Sequence, residues 1–135
     1  LSVTLEDVDV IAGETRLRSG EPLGDVLALC KFLSPDALLF NCSQPEVMED
    51  AVSVAHAHFS GDSPPLIGVY ANAFPLADDN YQGANATLHE LRSDITPDAY
   101  ADYAERWAAA GAGIIGGCCG ISPRHIKCLK DRLAR

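Results

Sequence analysis

The sequence predicts an α/β chain built from four consecutive β-α units on a parallel sheet. Three observations carry this. Short apolar runs alternate four times with longer segments whose apolar residues recur at helical spacing. No two apolar runs are joined by the short turn of an antiparallel hairpin, and strands separated by helices pair in parallel. The residues best equipped for chemistry follow the apolar runs directly, and in a parallel sheet these positions share one rim. Four such units make either a small open sheet or half of a (β/α)8 barrel.

Residues 1–5 alternate apolar and polar and are rich in strand formers, giving the first strand. Glu6-Asp7-Val8-Asp9 follows at its C-terminal end, and a loop carrying Arg16 and Arg18 runs past Gly13 and Gly20. Pro22 opens the first helix, with Leu23, Val26, Leu27, Cys30 and Leu33 on its buried face, and Ser34-Pro35-Asp36 ends it. The second strand, 37–40, is short and wholly apolar, as in a strand buried on both faces, and runs into Asn41-Cys42-Ser43. Ser43 and Glu46 have the spacing of a capping box with Pro45 in the first turn. Met48, Val52, Ala55 and Phe59 continue that helix on one face.

A turn over 61–65 leads to the third strand, 66–71, which ends at Asn72. The polar stretch 75–95, with Asp78, Asp79, Asn80, Gly83 and Asn85, is long for a compact domain. It reads either as cover for a site or partner, or as a surface insertion. Thr96-Pro97-Asp98 starts the third helix, Tyr100, Tyr103, Ala104, Trp107 and Ala108 form its stripe, and Gly111 stops it. The fourth strand is expected over 113–117. Ser122-Pro123 then opens the last helix, with Ile126, Leu129 and Leu133 inward and Lys127, Lys130, Arg132 and Arg135 loading its C-terminal half.

At 135 residues the chain suffices for one domain with a real core, taken as 1–135. A net charge of −9 without a basic patch argues against a nucleic-acid partner, and no apolar run reaches membrane-spanning length. The five cysteines are odd in number and not spaced as a disulfide framework, so a reducing, cytoplasmic setting is expected. The chain starts at Leu1, without an initiator Met and inside a strand, so it is expected to be a piece of something longer or a processed product.

The chemistry centres on Gly116-Gly117-Cys118-Cys119-Gly120. Adjacent cysteines bond to each other only by straining the peptide between them, so a disulfide explains them poorly. A soft metal that takes both sulfurs explains them better. The topology brings Cys42 to the same rim, together with Glu6 and Asn72. Three thiolates without a histidine favour zinc with one position open. Such an ion activates water weakly but suits a fourth thiol, whose pKa it lowers while the sulfur stays electron-rich. Attack of a bound thiol on an alkyl group is the natural chemistry. Three buried structural thiols, a zinc module without catalysis, and a redox-responsive Cys118-Cys119 pair remain the alternatives.

Asn41-Cys42-Ser43-x-Pro45-Glu46, Val69-Tyr70-x-Asn72 and Gly116-Gly117-Cys118-Cys119-Gly120 with Pro123-x-x-Ile126 resemble the homocysteine S-methyltransferases. The resemblance covers essentially the whole chain but only the C-terminal half of that family's (β/α)8 barrel, strands five to eight. It implies that Cys42, Cys118 and Cys119 bind Zn²⁺ and that homocysteine's thiolate is the fourth ligand and the nucleophile, yielding methionine. The methyl donor would be S-methylmethionine, S-adenosylmethionine, betaine or methylcobalamin, and an N-terminal half-barrel would complete the pocket. A related thiol or selenol substrate is the runner-up. Asn72 matches a position close to the metal, and Asn41 would lie beside the first ligand.

Glu6 and Asp7 face the right side to hold a substrate ammonium, although an acidic solvated loop is the simpler explanation of them. Cys30 and Cys128 lie on helix faces and read as packing residues. His56 and His58 read as solvated or helix-end residues and His89 as a loop residue within reach of a partner. His125, the histidine nearest the cysteines, reads as a surface or supporting residue.

Overall fold

In a computed structural model of the chain, residues 1–11, 14–59, 63–76 and 90–134 are described. The four apolar runs form one parallel sheet of β1 (Ser2–Val3), β2 (Ala37–Asn41), β3 (Leu66–Tyr70) and β4 (Ile114–Ile115), in the order β1-β2-β3-β4. The helices between and after them are α1 (Leu23–Leu33), α2 (Pro45–His58), α3 (Pro97–Ala110) and α4 (Pro123–Leu133). The strand order never reverses, and right-handed β-α-β connections then set successive helices on the same face of the sheet.

Burial along β2 follows from that. Leu38 and Phe40 face the helices and are fully buried, while Ala37, Leu39 and Asn41 on the opposite face are only partly covered. The expectation of burial on both faces is therefore corrected to one. On the less covered face the Ser2 hydroxyl meets Asn41 Oδ1 at 2.9 Å and the Tyr70 hydroxyl at 2.6 Å, and Asn41 Nδ2 donates to Thr4 Oγ1 at 3.0 Å. Gly68 lies in the same layer because a Cβ there would sit 2.4 Å from Leu39 Cδ2 and 2.9 Å from Ile114 Cβ.

The core lies between sheet and helices, around Leu5, Leu27, Phe40, Met48, Val52, Val69, Tyr100 and Trp107. Three expected core positions are exposed instead. Leu33 sits in the last turn of α1, where the chain turns away at Ser34 in the left-handed region (φ 48). Ala108 and Ile126 lie off the inward stripes of α3 and α4, and His125 occupies the inward position beside Leu129. Gly111 stops α3 as expected, at φ 118 with its N–H on the Ala108 carbonyl. The edge strands are shorter than the apolar runs, two residues each. Among the described residues, no helix is long and apolar enough to cross a membrane.

The capping box at Ser43 does not form. Gln44 is the N-cap of α2, and Ser43 is fully buried with Oγ accepting from Leu5 N–H (2.8 Å) and lying 3.1 Å from the carbonyls of Leu5 and Asn41. The hydroxyl thus satisfies the backbone where β1 and β2 end, a demand that sequence spacing does not reveal. Ser43→Ala leaves the Leu5 N–H without a partner and is expected to cost about 1–3 kcal/mol in chemical denaturation. A loss below about 0.5 kcal/mol would refute that account. The expectations for Gly13, Gly61, His89, Arg135 and residues 77–89, including Asp78, Asp79, Asn80, Gly83 and Asn85, lie outside the described residues.

Candidate metal centre

Three of the five rim residues expected from sequence meet through their sulfurs. Cys42 Sγ lies 3.7 Å from Cys119 Sγ, although 77 positions separate them, and Cys118 Sγ lies 3.8 Å from Cys119 Sγ. All three sulfurs are within 4.8 Å of one another. Zinc–sulfur bonds of about 2.3 Å in a tetrahedron place sulfurs roughly 3.8 Å apart, so the cluster fits a tetrahedral thiolate ion. Cys119 is exposed and the other two are partly buried, which leaves the cluster open to solvent on one side.

The backbone explains the convergence. Cys42 adopts φ 50, in the left-handed region, which turns the chain off the end of β2 and into α2. Its N–H donates to the Tyr70 carbonyl (3.0 Å), and its carbonyl accepts from Asn72 Nδ2 (2.8 Å). Cys118 N–H donates to the Ala71 carbonyl (2.9 Å), extending the β3–β4 pairing past the strand ends. Gly117 admits no side chain, because a Cβ would fall 2.6 Å from Ile121 Cβ. Burial first, and then the neighbouring Cys42 thiol, push the Cys118 thiol up to about 12. The partly buried Cys118 thiol therefore holds its proton in the absence of a cation.

Asn72 is buried at the centre of the site but is committed to protein partners. Its Oδ1 accepts from Phe74 N–H (3.0 Å) and Gln44 Nε2 (3.3 Å). Asn41 is adjacent to Cys42 in the chain, yet alternation sends its side chain to the sheet face shared with Ser2 and Tyr70. Glu6 Oε1 accepts from the backbone N–H groups of Asp7 (2.9 Å), Val8 (2.8 Å) and Asp9 (3.4 Å), and those donors hold its carboxyl below the usual range, with Val8 the largest contributor. It lines a cavity of about 820 Å³ with Asp7, Gln44 and Arg92, and none of the three cysteines lines that cavity. Cys30 is buried in α1 as expected, and Cys128 is half-buried with its Sγ 3.5 Å from Asp98 Oδ1.

Sequence reasoning missed Arg18, Gln44 and Arg92 as site residues, and it left His125 between a surface and a supporting place. Arg18 bonds both oxygens of buried Asp7 at 3.0 Å and reaches the Cys42 carbonyl at 3.4 Å. Gln44 and Arg92 join the Asn72 network, with Arg92 Nη1 2.6 Å from Gln44 Oε1. His125 is buried, with Nδ1 accepting from Ser122 N–H (3.1 Å) and Nε2 3.0 Å from the Ile95 carbonyl, so its ring carries the proton on Nε2. A polar residue two positions after a rim cysteine was the available signal for Gln44. Arg92 and His125 are read only from contacts made across the chain.

Fold and site together define a parallel β/α protein with a three-cysteine centre at the C-terminal rim of its strands. The chain belongs to the homocysteine S-methyltransferase family, whose model matches residues 1–133. It is 33% identical over 132 residues to the homocysteine S-methyltransferase of Escherichia coli, covering 97% of this chain and 37% of that one. Homocysteine S-methyltransferase 1 of Zea mays is 30% identical over 119 residues, 87% of this chain and 34% of its own. The crystal structure of the E. coli homocysteine methyltransferase in its metallated form superposes with a TM-score of 0.63 at 31% identity, over 98% of this chain and 34% of that one. The chain thus spans about a third of the length of the curated relatives it matches.

Proposed function

We propose that this chain is the metal-bearing C-terminal half, strands five to eight, of the (β/α)8 barrel of a zinc-dependent homocysteine S-methyltransferase. The single observation that carries the reading is the meeting of Cys42, Cys118 and Cys119 sulfurs at 3.7 and 3.8 Å in a chain of this family. The unswitched strand order and the less covered sheet face support a half-barrel over an open sheet with helices on both sides. The N-terminal half would cover that face and pair with the edges at β1 and β4.

Cys42, Cys118 and Cys119 would hold the zinc. When bound, zinc acts as a Lewis acid that lowers a thiol's pKa without removing its nucleophilicity. The homocysteine thiol would give up its proton to solvent on binding, and its sulfur would attack the methyl carbon of an S-methylmethionine, S-adenosylmethionine, betaine or methylcobalamin donor. One sulfur–carbon bond forms, the donor's bond to methyl breaks, and the leaving group keeps the electron pair. The chain's residues fix the cysteines: Asn72 holds the Cys42 carbonyl and the Ala71 carbonyl holds the Cys118 N–H. With exposed Cys119, they leave the sulfur cluster open to an incoming thiol.

Calorimetric titration of the reduced chain tests this. Homocysteine is expected to bind the zinc-loaded chain and not the metal-free chain, and homoserine, with a hydroxyl for the thiol, to bind neither. Equal binding of homocysteine to both forms would overturn the reading.

A further inference from the structure

The two cysteine segments belong to different β-α units and each is tied by its backbone to the end of β3, Cys42 N–H to the Tyr70 carbonyl and Cys118 N–H to the Ala71 carbonyl, so a link that also spans the two segments would fix the gap between them. We propose that Arg92 is the positioning residue that sets it, an inference that rests on the metal-site reading above. Arg92 reaches both segments, one through its side chain and the other through its backbone.

The guanidinium addresses the Cys42 side. Nη1 donates to Gln44 Oε1 at 2.6 Å, and Nη1 and Nη2 together grip the Glu46 carboxylate at 3.1 and 2.6 Å. These partners are the second and fourth residues after Cys42. Gln44 Nε2 then donates to Asn72 Oδ1, and Asn72 Nδ2 donates to the Cys42 carbonyl. The chain of contacts ends on Cys42, a non-glycine residue held in the left-handed region, a conformation that persists only where its surroundings fix it.

The backbone of Arg92 addresses the other cysteines. Its N–H donates to the Ala73 carbonyl at 2.9 Å, and Ala73 N–H donates to the Cys119 carbonyl at 2.9 Å. The adjoining Leu91 packs on the cysteine turn so closely that a Cβ on Gly120 would lie 2.7 Å from its Cδ2. Asp94 orients the arginine from outside, with its two oxygens 3.1 and 2.6 Å from Nε and Nη2. An exposed ion pair alone would be worth little. Here the side chain is only 20% exposed and its planar fork joins three residues, a geometry that lysine does not reproduce.

The test compares Arg92→Ala and Arg92→Lys with Arg132→Ala. Arg132 is also an ion-paired arginine, but its partners Asp102 and Glu105 lie on α3. Zinc affinity is measured by chelator competition, the absorption spectrum is taken on the Co²⁺-loaded chain, and melting is followed on the metal-free chain. Arg92→Ala is expected to lose about ten- to a hundred-fold in zinc affinity, as groups supporting metal ligands typically do. It is also expected to alter the sulfur-to-cobalt charge-transfer and d–d bands, with Arg92→Lys between it and wild type. Arg132→Ala is expected to shift melting alone.

Wild-type affinity and an unchanged cobalt spectrum in Arg92→Ala would overturn the role of Arg92 and leave the metal site standing. If Arg92→Ala fails to fold, the same result in Arg92→Lys decides. A wild-type chain that takes up neither zinc nor cobalt overturns the site, and the role of Arg92 with it.

Discussion

Replacing Cys42 by serine is expected to take the chain from about one bound zinc to none, and Cys118→Ser is expected to do the same. The two cysteines lie on separate segments, so parallel loss in both variants would mean that one ion joins them. Serine keeps the size of cysteine nearly unchanged but does not ionise at working pH, and a metal bound by thiolates requires the ionised form. Elemental analysis of reduced, purified protein reads the result directly. Packing thiols would behave differently: the variants would lose a little stability, and the wild type would carry no metal to lose.

Protons supply a second readout on the same proteins. The metal-free Cys118 thiol keeps its proton up to about 12, because burial and the adjacent Cys42 both oppose the thiolate. The unfolded chain gives up such a proton near about 8.5. The metal-free fold therefore binds the proton more tightly than the unfolded chain, and its stability falls as pH rises through that interval. The metal-loaded fold has the opposite sign, since acid returns protons to the ligands and expels the ion. Zinc uptake is expected to release protons, and apparent affinity to rise with pH across the neutral range. Uptake without proton release, or retention of zinc by Cys42→Ser, would sink the three-thiolate site.

The parts legible in the sequence were those that depend on local pattern. The four β-α units, the Thr96 and Ser122 helix starts and the Gly111 stop follow from spacing and from residue-specific backbone preferences. The meeting of Cys42 with Cys118 and Cys119 was legible for a topological reason, because parallel strands deliver their C-terminal ends to one rim. What escaped depends on which of several polar partners a group chooses in three dimensions. Ser43 has the spacing of a helix cap, yet the end of β1 claims its hydroxyl. Asn41 adjoins Cys42, yet strand alternation points it to the other side of the sheet from the helices. Ile126 looks inward by hydrophobicity, but His125 satisfies the Ile95 carbonyl and takes the inward place. The role of Arg92 depends on Gln44, Glu46 and Ala73, none of them near it in sequence.

Trp107→Ala is expected to carry the largest cost to stability, about 3–5 kcal/mol, a sizeable part of the roughly 5–15 kcal/mol of a whole domain. Trp107 is fully buried on α3, meets Tyr100 edge-on at 5.4 Å and stacks on Tyr103 at 6.0 Å. Its indole N–H has no partner among the described residues, so the loss comes from packing and from the cavity left behind. The consequence reaches the site through the same helix. The Tyr100 hydroxyl donates to the Gly116 carbonyl at 2.8 Å, two residues before Cys118, and the Trp107 carbonyl accepts from Ala112 N–H as the chain enters β4. Metal binding and folding are linked, so zinc at about a thousand times its dissociation constant is expected to return about 4 kcal/mol to the variant. Thermal melts with and without zinc, on Trp107→Ala alone and combined with Cys42→Ser, separate the contributions. Rescue by zinc in the first and none in the second means that the ion stabilises the fold by joining β2 to the turn after β4. Equal melts with and without zinc in the first variant would mean that the cysteines meet without binding the metal.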